Sequence, residues 1–229
     1  MPMTGGRNPI DILEALAGPA WLLIRDLPGS PTVPADPAAV VSPVADSSGE
    51  YAPVSPWRYT GLAADDFAFS AGREVAGLEY SGKGELFKKV TSVSYQVQAQ
   101  LAGIAQLNLA LIANSQSTST VAAAAGKPAY KRVGLGLYDN LKRYQIALVA
   151  DRPTGAGVVT EPAPSNRTRP PSVIIIGNNV GLGDDESEFT FSDSEPVNAQ
   201  VTFDFAPLSG AANGREHGDV YEETPGVIA

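Results

Sequence analysis

The chain has no cysteine, which excludes a disulfide framework, a thiolate nucleophile and cysteine-ligated zinc. It has one histidine, His217, in the polar stretch GREHGD. A Ser-His-Asp arrangement would have to use that residue, and no serine lies in a nucleophile-elbow pattern. A histidine metal site is equally starved, because His217 would have only carboxylates for company. Aromatic residues are few, at 7%. Paired carboxylates for glycoside hydrolysis stay open on sequence alone, but such sites usually come with aromatic sugar platforms. Phosphate-binding loops are missing too. GKGE, GLGLYDN and GLGDDE lack the third glycine of the dinucleotide fingerprint, and AAAAGKP lacks the leading glycine and the hydroxyl residue of a phosphate loop. The acidic run Asp184, Asp185, Glu186, Glu188 fails the spacing of a twelve-residue calcium loop and reads as a solvated loop. Asn166-Arg167-Thr168 matches a glycosylation sequon, which means nothing without secretion. We therefore expect no enzyme activity, no catalytic residue, no cofactor and no metal.

A long apolar run is also missing. The segment Ala15 to Ile24 is interrupted by Gly18 and Pro19 and preceded by Asp11 and Glu14. A membrane span wants about 20 apolar residues, and a signal peptide wants a basic start. No membrane association is expected. Asn8, Pro9, Asp11 and Glu14 instead suit the capped start of a short helix, followed by a packed strand or docking segment with Trp21, Leu22 and Ile24. What is present is a 229-residue chain, 43% hydrophobic, long enough for one generous domain with appendages. Only 18% of residues are charged, which leaves neutral surface for partner contacts. Net charge is −9 and unevenly placed: residues 1–150 carry 12 acids and 12 bases, residues 151–229 carry 13 and 4. A nucleic-acid-gripping protein shows the reverse, a basic stripe, so tight nucleic-acid binding is not expected.

The most patterned stretch is Gly72 to Ala113. Val93, Tyr95, Val97, Ala99 and Leu101 alternate with Ser94, Gln96, Gln98 and Gln100, a strand with one apolar and one polar face. AGIAQLNLALIA then changes to helical period through Ile104, Leu107 and Leu111. REVAGLEYSG upstream reads as a further strand, with Gly82 and Gly84 at turn or bulge positions. Between Leu27 and Trp57, seven prolines rule out regular helix, and the small residues between them cannot build a core; the segment reads as an extended arm or long loop lying on a neighbouring subunit, with a mobile linker as the alternative. AYKRVGLGLY and KRYQIALVAD predict two strands joined around Asp139-Asn140, and SVIIIG a strand buried on both faces or buried by a neighbouring subunit. VNAQVTFDF is the second strand with a polar face, carried by Asn198, Gln200, Thr202 and Asp204. The last 22 residues, 208–229, read as a polar tail.

The order from Trp57 to Pro207 resembles the tail tube proteins of long-tailed bacteriophages. An aromatic and glycine opening (WRYTGLAADDFAFSAGREVAGLEY) leads to the long polar-faced strand, then an apolar helix, and late to QVTFDF. The resemblance rests on this order and on no invariant catalytic letters. It implies a mainly β fold, a β-sandwich or barrel with a flanking α-helix, an extended N-terminal arm and loops, divided as 1–56, 57–207 and 208–229. It also implies hexameric rings of identical copies, stacked into a tube through which double-stranded DNA passes without tight binding. Its neighbours would be the tape measure, tail terminator and distal tail proteins, in a virion tail made in the bacterial host cytoplasm. At least one of the faces Ser94, Gln96, Gln98, Gln100 and Asn198, Gln200, Thr202, Asp204 would then line the channel. The alternative is a monomeric β-sandwich binding module or enzyme of unknown ligand.

Overall fold

The computed structural model describes residues 20–34, 36–43, 52–60, 67–80, 84–102, 110–115, 117–135, 141–151, 172–183, 189–190, 198–212 and 214–223. Strands dominate them. In chain order these are β1 (Ala20–Asp26), β2 (Arg58–Tyr59), β3 (Ala68–Tyr80), β4 (Gly84–Ala102), β5 (Thr118–Val121), β6 (Tyr130–Val133), β7 (Tyr144–Asp151), β8 (Ser172–Leu182), β9 (Phe189–Thr190), β10 (Asn198–Phe205) and β11 (Gly218–Glu222). The chain is mainly β. Residues 110–112 are helical, and the rest of the expected helix, like the expected N-terminal helix and the turn at Asp139-Asn140, lies outside the described residues. Among the described residues no helix is long and apolar enough to cross a membrane.

Two compact units emerge, each made of separated stretches of sequence. The first comprises Met1–Leu62, Tyr144–Asn178 and Leu208–Ala229. Here β1 pairs antiparallel with β2 and β7, and β11 pairs antiparallel with the first part of β8. The run Trp21-Leu22-Leu23-Ile24 is apolar on both sides because both faces of the β1–β7 ladder are buried: Leu22, Ile24, Ile146 and Tyr144 on one, Leu23, Ala147 and Val149 on the other. The second of these faces forms a core cluster with Val40, Val41, Trp57, Ile174 and Ile176.

That cluster takes in the proline-rich segment, whose small residues were expected to build no core: a 3-10 turn at Pro37–Ala39, capped by the Asp36 carboxylate, delivers fully buried Val40 and Val41. The chain returns through a bridge between Val41 and Pro53 to Trp57, whose ring lies 4.7 Å from the Arg25 guanidinium carbon. Arg25 is held by Gln145 Oε1 and the Thr32 carbonyl, and burial lowers its pKa. The small residues between the prolines thus carry two valines that a core can use.

The C-terminal segment also departs from a polar tail. Leu208 is buried, its N–H donates to the Glu216 carbonyl at 2.7 Å, and β11 follows. Tyr221 packs on the core cluster while its hydroxyl donates to the Pro34 carbonyl at 3.2 Å. Gly218 is required at the strand entry, since a Cβ there would sit 2.1 Å from the Ile176 carbonyl oxygen.

The second unit comprises Ala63–Arg143 and Asn179–Pro207. Its ladder order is the end of β8, then β10, β4 and β3, all antiparallel, with β9 on β10. The apolar residues of β4 predicted to share a face do so: Val97, Ala99 and Leu101 are buried, with Val201 and Phe203 beside them. Burial fades towards the N-terminal part of β4, where Val93 is 41% exposed. Phe69, Tyr95 and Phe205 bind the three strands on this side, with ring centroids 6.1 to 6.3 Å apart. β5 and β6 form a separate two-stranded hairpin, so β6 pairs with β5 rather than with β7.

Candidate functional site: a polar three-strand face

Antiparallel register places residues directly opposite one another on the same side of a sheet. The β4–β10 ladder sets Gln96 against Asp204, Gln98 against Thr202 and Gln100 against Gln200. The two polar faces recognised in the sequence are therefore one face. β3 extends it: Ala68 opposes Gln98, Ser70 opposes Gln96, Gly72 opposes Ser94 and Glu74 opposes Ser92. Along β4 from Ser92 to Gln100 the surface runs about 26 Å, at about 3.3 Å per residue.

Its groups are amides, hydroxyls and carboxylates. Gln96 Nε2 donates to Asp204 Oδ1 at 2.8 Å, and Ser92 Oγ donates to Glu74 Oε2 at 2.9 Å. Ser94 leans across Gly72 so closely that a Cβ at Gly72 would lie 2.5 Å from Ser94 Oγ. Ser94, Gln98 and Gln200 are exposed, while Gln96, Gln100 and Asp204 are half-buried. Thr202 is only 5% exposed. It lies under the backbone of Gly183, whose added Cβ would meet Thr202 Cγ2 at 3.3 Å, and the Gly183 N–H donates to the Thr202 carbonyl at 2.9 Å. Thr202 is thus on the expected face but covered. The Asn198 side chain lies outside what the structure describes; its backbone opposes Ala102.

Two features were missed in the sequence. The first is the contribution of β3, although the alternation Ser70, Gly72, Glu74 was legible. The second is Arg143. Its guanidinium lies over Gly181, where an added Cβ would meet Nη1 at 2.8 Å, and Gly181 opposes Asp204. One cation therefore stands at the β8 margin of a face to which, between Ser92 and Gln100, the described residues of β3, β4 and β10 contribute none; a second, Lys89, lies beyond the register shift, opposite Ala76 on the same side. No local pattern signals it, because Arg143 arrives from 61 residues upstream of Asp204.

Chemically, this face offers neutral hydrogen-bonding groups and two carboxylates. His217 is remote from it in sequence and belongs to the first unit, where its backbone carbonyl accepts from the Asn178 N–H at 3.0 Å. Among the described residues no group of three histidine, cysteine or carboxylate side chains could hold a metal ion. No protein-family model matches the chain, and no curated protein matches it significantly.

Proposed function

We propose that this chain is a structural tail protein of a long-tailed bacteriophage, whose copies join edge to edge into hexameric rings stacked as a tail tube. In this reading the second unit supplies the sandwich or barrel wall. The amide and hydroxyl face of β4 and β10 lines the channel through which double-stranded DNA leaves. The observation that carries the proposal is the merging of two polar faces into one surface nearly free of cations. Duplex DNA carries a charge about every 1.7 Å of its axis, so a basic wall would hold it through many simultaneous phosphate contacts. Amides and carboxylates leave a hydrated gap instead. A second observation concerns the edge. β3 is thirteen residues long, and among the described residues it pairs only with β4. An open edge of that length is an aggregation liability that ring closure turns into assembly.

Gel filtration and negative-stain microscopy of the purified chain test the proposal directly. Rings or tubes are expected. A globule of monomer mass at every concentration would instead favour the binding-module alternative.

A further inference from the structure

The hairpin β5–β6 stands apart from every buried surface of its unit. Each residue from Ser117 to Arg132 is exposed, on both faces of the hairpin. Its backbone is nevertheless ordered: Ala124 and Lys127 exchange two hydrogen bonds across the tip, Gly126 supplies the left-handed turn residue at φ +73, and the Gly134 N–H closes the base on the Ser117 carbonyl. A two-stranded hairpin in water is marginal on its own. Apolar side chains are displayed on it, with Tyr130 54% and Val121 39% exposed as opposed neighbours, and Leu135 84% exposed at its base. Its charge is one-sided. From Leu86 to Tyr138 the chain carries Lys88, Lys89, Lys127, Lys131 and Arg132 and no acid, within a molecule of net charge −9.

A surface of complementary character exists in the first unit. On β11, Val220 is 63% exposed and Glu222 is exposed on the same side, opposite half-buried Ile175 and Val173 of β8. Asp219 points the other way, bound to Arg215. Among the described residues β11 pairs only with β8. An aromatic and basic finger thus has an apolar, acid-edged strand pair to meet on another copy.

We infer that the β5–β6 hairpin of one copy docks on the β8–β11 face of the next, with Tyr130 and Val121 against Val220 and Ile175, and with Arg132, on the same hairpin face as Tyr130, and Lys127 at the tip towards Glu222. Used once per partner, the contact is head-to-tail and propagates into a ring or a filament; exchanged reciprocally between two copies, it would close a two-fold dimer. This deepens the proposed self-assembly by assigning it a contact. A second copy fits better than nucleic acid, because three cations on a net-acidic chain offer few phosphate contacts, whereas residues 151–229 bring 13 acids against 4 bases.

The test uses the full chain with the Lys127→Glu/Arg132→Glu pair, Glu222→Lys alone, and the three combined. All three sites are exposed or half-buried, so folded protein is expected in each case, checked by circular dichroism. Sedimentation velocity of the paired variant should show self-association weakened about tenfold at low salt, with most of it recovered in the triple variant. The wild-type association should weaken as salt shortens the screening length. Tubes from the paired variant indistinguishable from wild type would overturn this contact while leaving the tube proposal standing. Salt-sensitive association with charge-swap rescue, but no rings or tubes, would uphold the contact and remove the tube. A wild type that stays monomeric removes both. Unchanged association with lost retardation of a duplex DNA fragment would assign the hairpin to nucleic acid and overturn the inference.

Discussion

Val97 sits fully buried opposite Phe203 at the centre of the second unit's apolar face. Val97→Asp would place an unpaired carboxylate there, at a cost of about 3 kcal/mol or more. Little or no native melting transition is expected, and soluble protein melting like wild type would mean the face is assigned backwards. Tyr144 behaves differently because it is polar and still almost wholly inaccessible, at 1% exposure. Burial raises its pKa first, and the nearby Asp26 carboxylate adds to the rise. A raised phenol pKa means folding favours the protonated form. That contribution is complete below the unfolded value of about 10 and is lost as pH climbs from there towards the folded value. The melting temperature should therefore fall steeply above about pH 10, and Tyr144→Phe should make the fall shallower. An alkaline melting profile identical in the two proteins would remove Tyr144 from the account.

Elements whose reason for existing is local were legible in the sequence. The period-two runs of β4 and β10 and the apolar runs of β1, β7 and β8 could be read because alternation and burial leave marks on consecutive residues. The proline-rich segment could not. Its role depends on Val40 and Val41 meeting Leu23, Ile174 and Ile176, partners as far as 136 residues away. β11 was hidden for a similar reason: GDVYE has one strongly apolar position, and its strand character comes from pairing with β8. Likewise, nothing in either polar strand announced that Gln96 and Asp204 would face each other. Both hidden elements yield tests. Deleting residues 31–54 removes two core side chains and should lower the stability of the protomer itself, with Val41→Ala alone costing about 2 kcal/mol. A deletion protein that melts like wild type and merely fails to assemble would return the segment to a bridging role. Gly218→Ala pushes a methyl group into the Ile176 carbonyl, so β11 must shift. Faster amide exchange across residues 173–177 is expected, and wild-type protection there would show that the strand tolerates a side chain.

At the scale of the whole molecule, charge separates the chain into parts with different work to do. The acids gather in the last third and the uninterrupted cations lie between Leu86 and Tyr138. The polar face of β3, β4 and β10 shows amides, hydroxyls and the Glu74 and Asp204 carboxylates. If the Ser92–Gln100 stretch of that face lines a channel, its lack of cations, with Arg143 and Lys89 only at the margins, is functional, and adding them should slow whatever passes. Thr202 is a poor site for such a change because it is covered, so a lysine there would disturb packing instead. Gln98 and Gln200 are exposed on adjacent strands of the face and neither has a core role. Gln98→Lys with Gln200→Lys adds two positive charges per copy, which in the proposed tube would be twelve per hexameric ring, repeated in every stacked ring. Each new phosphate contact is weak alone, but a long tube presents very many at once, and their strength grows as salt is removed. Tubes of normal appearance are expected from the double variant, while genome ejection from particles carrying it should slow, most at low ionic strength. Arg143, already at the β8 margin of the face, supplies the converse change: Arg143→Gln should leave ejection as fast as wild type or faster. Normal ejection rates from assembled Gln98→Lys/Gln200→Lys particles at low salt would place this face outside the channel.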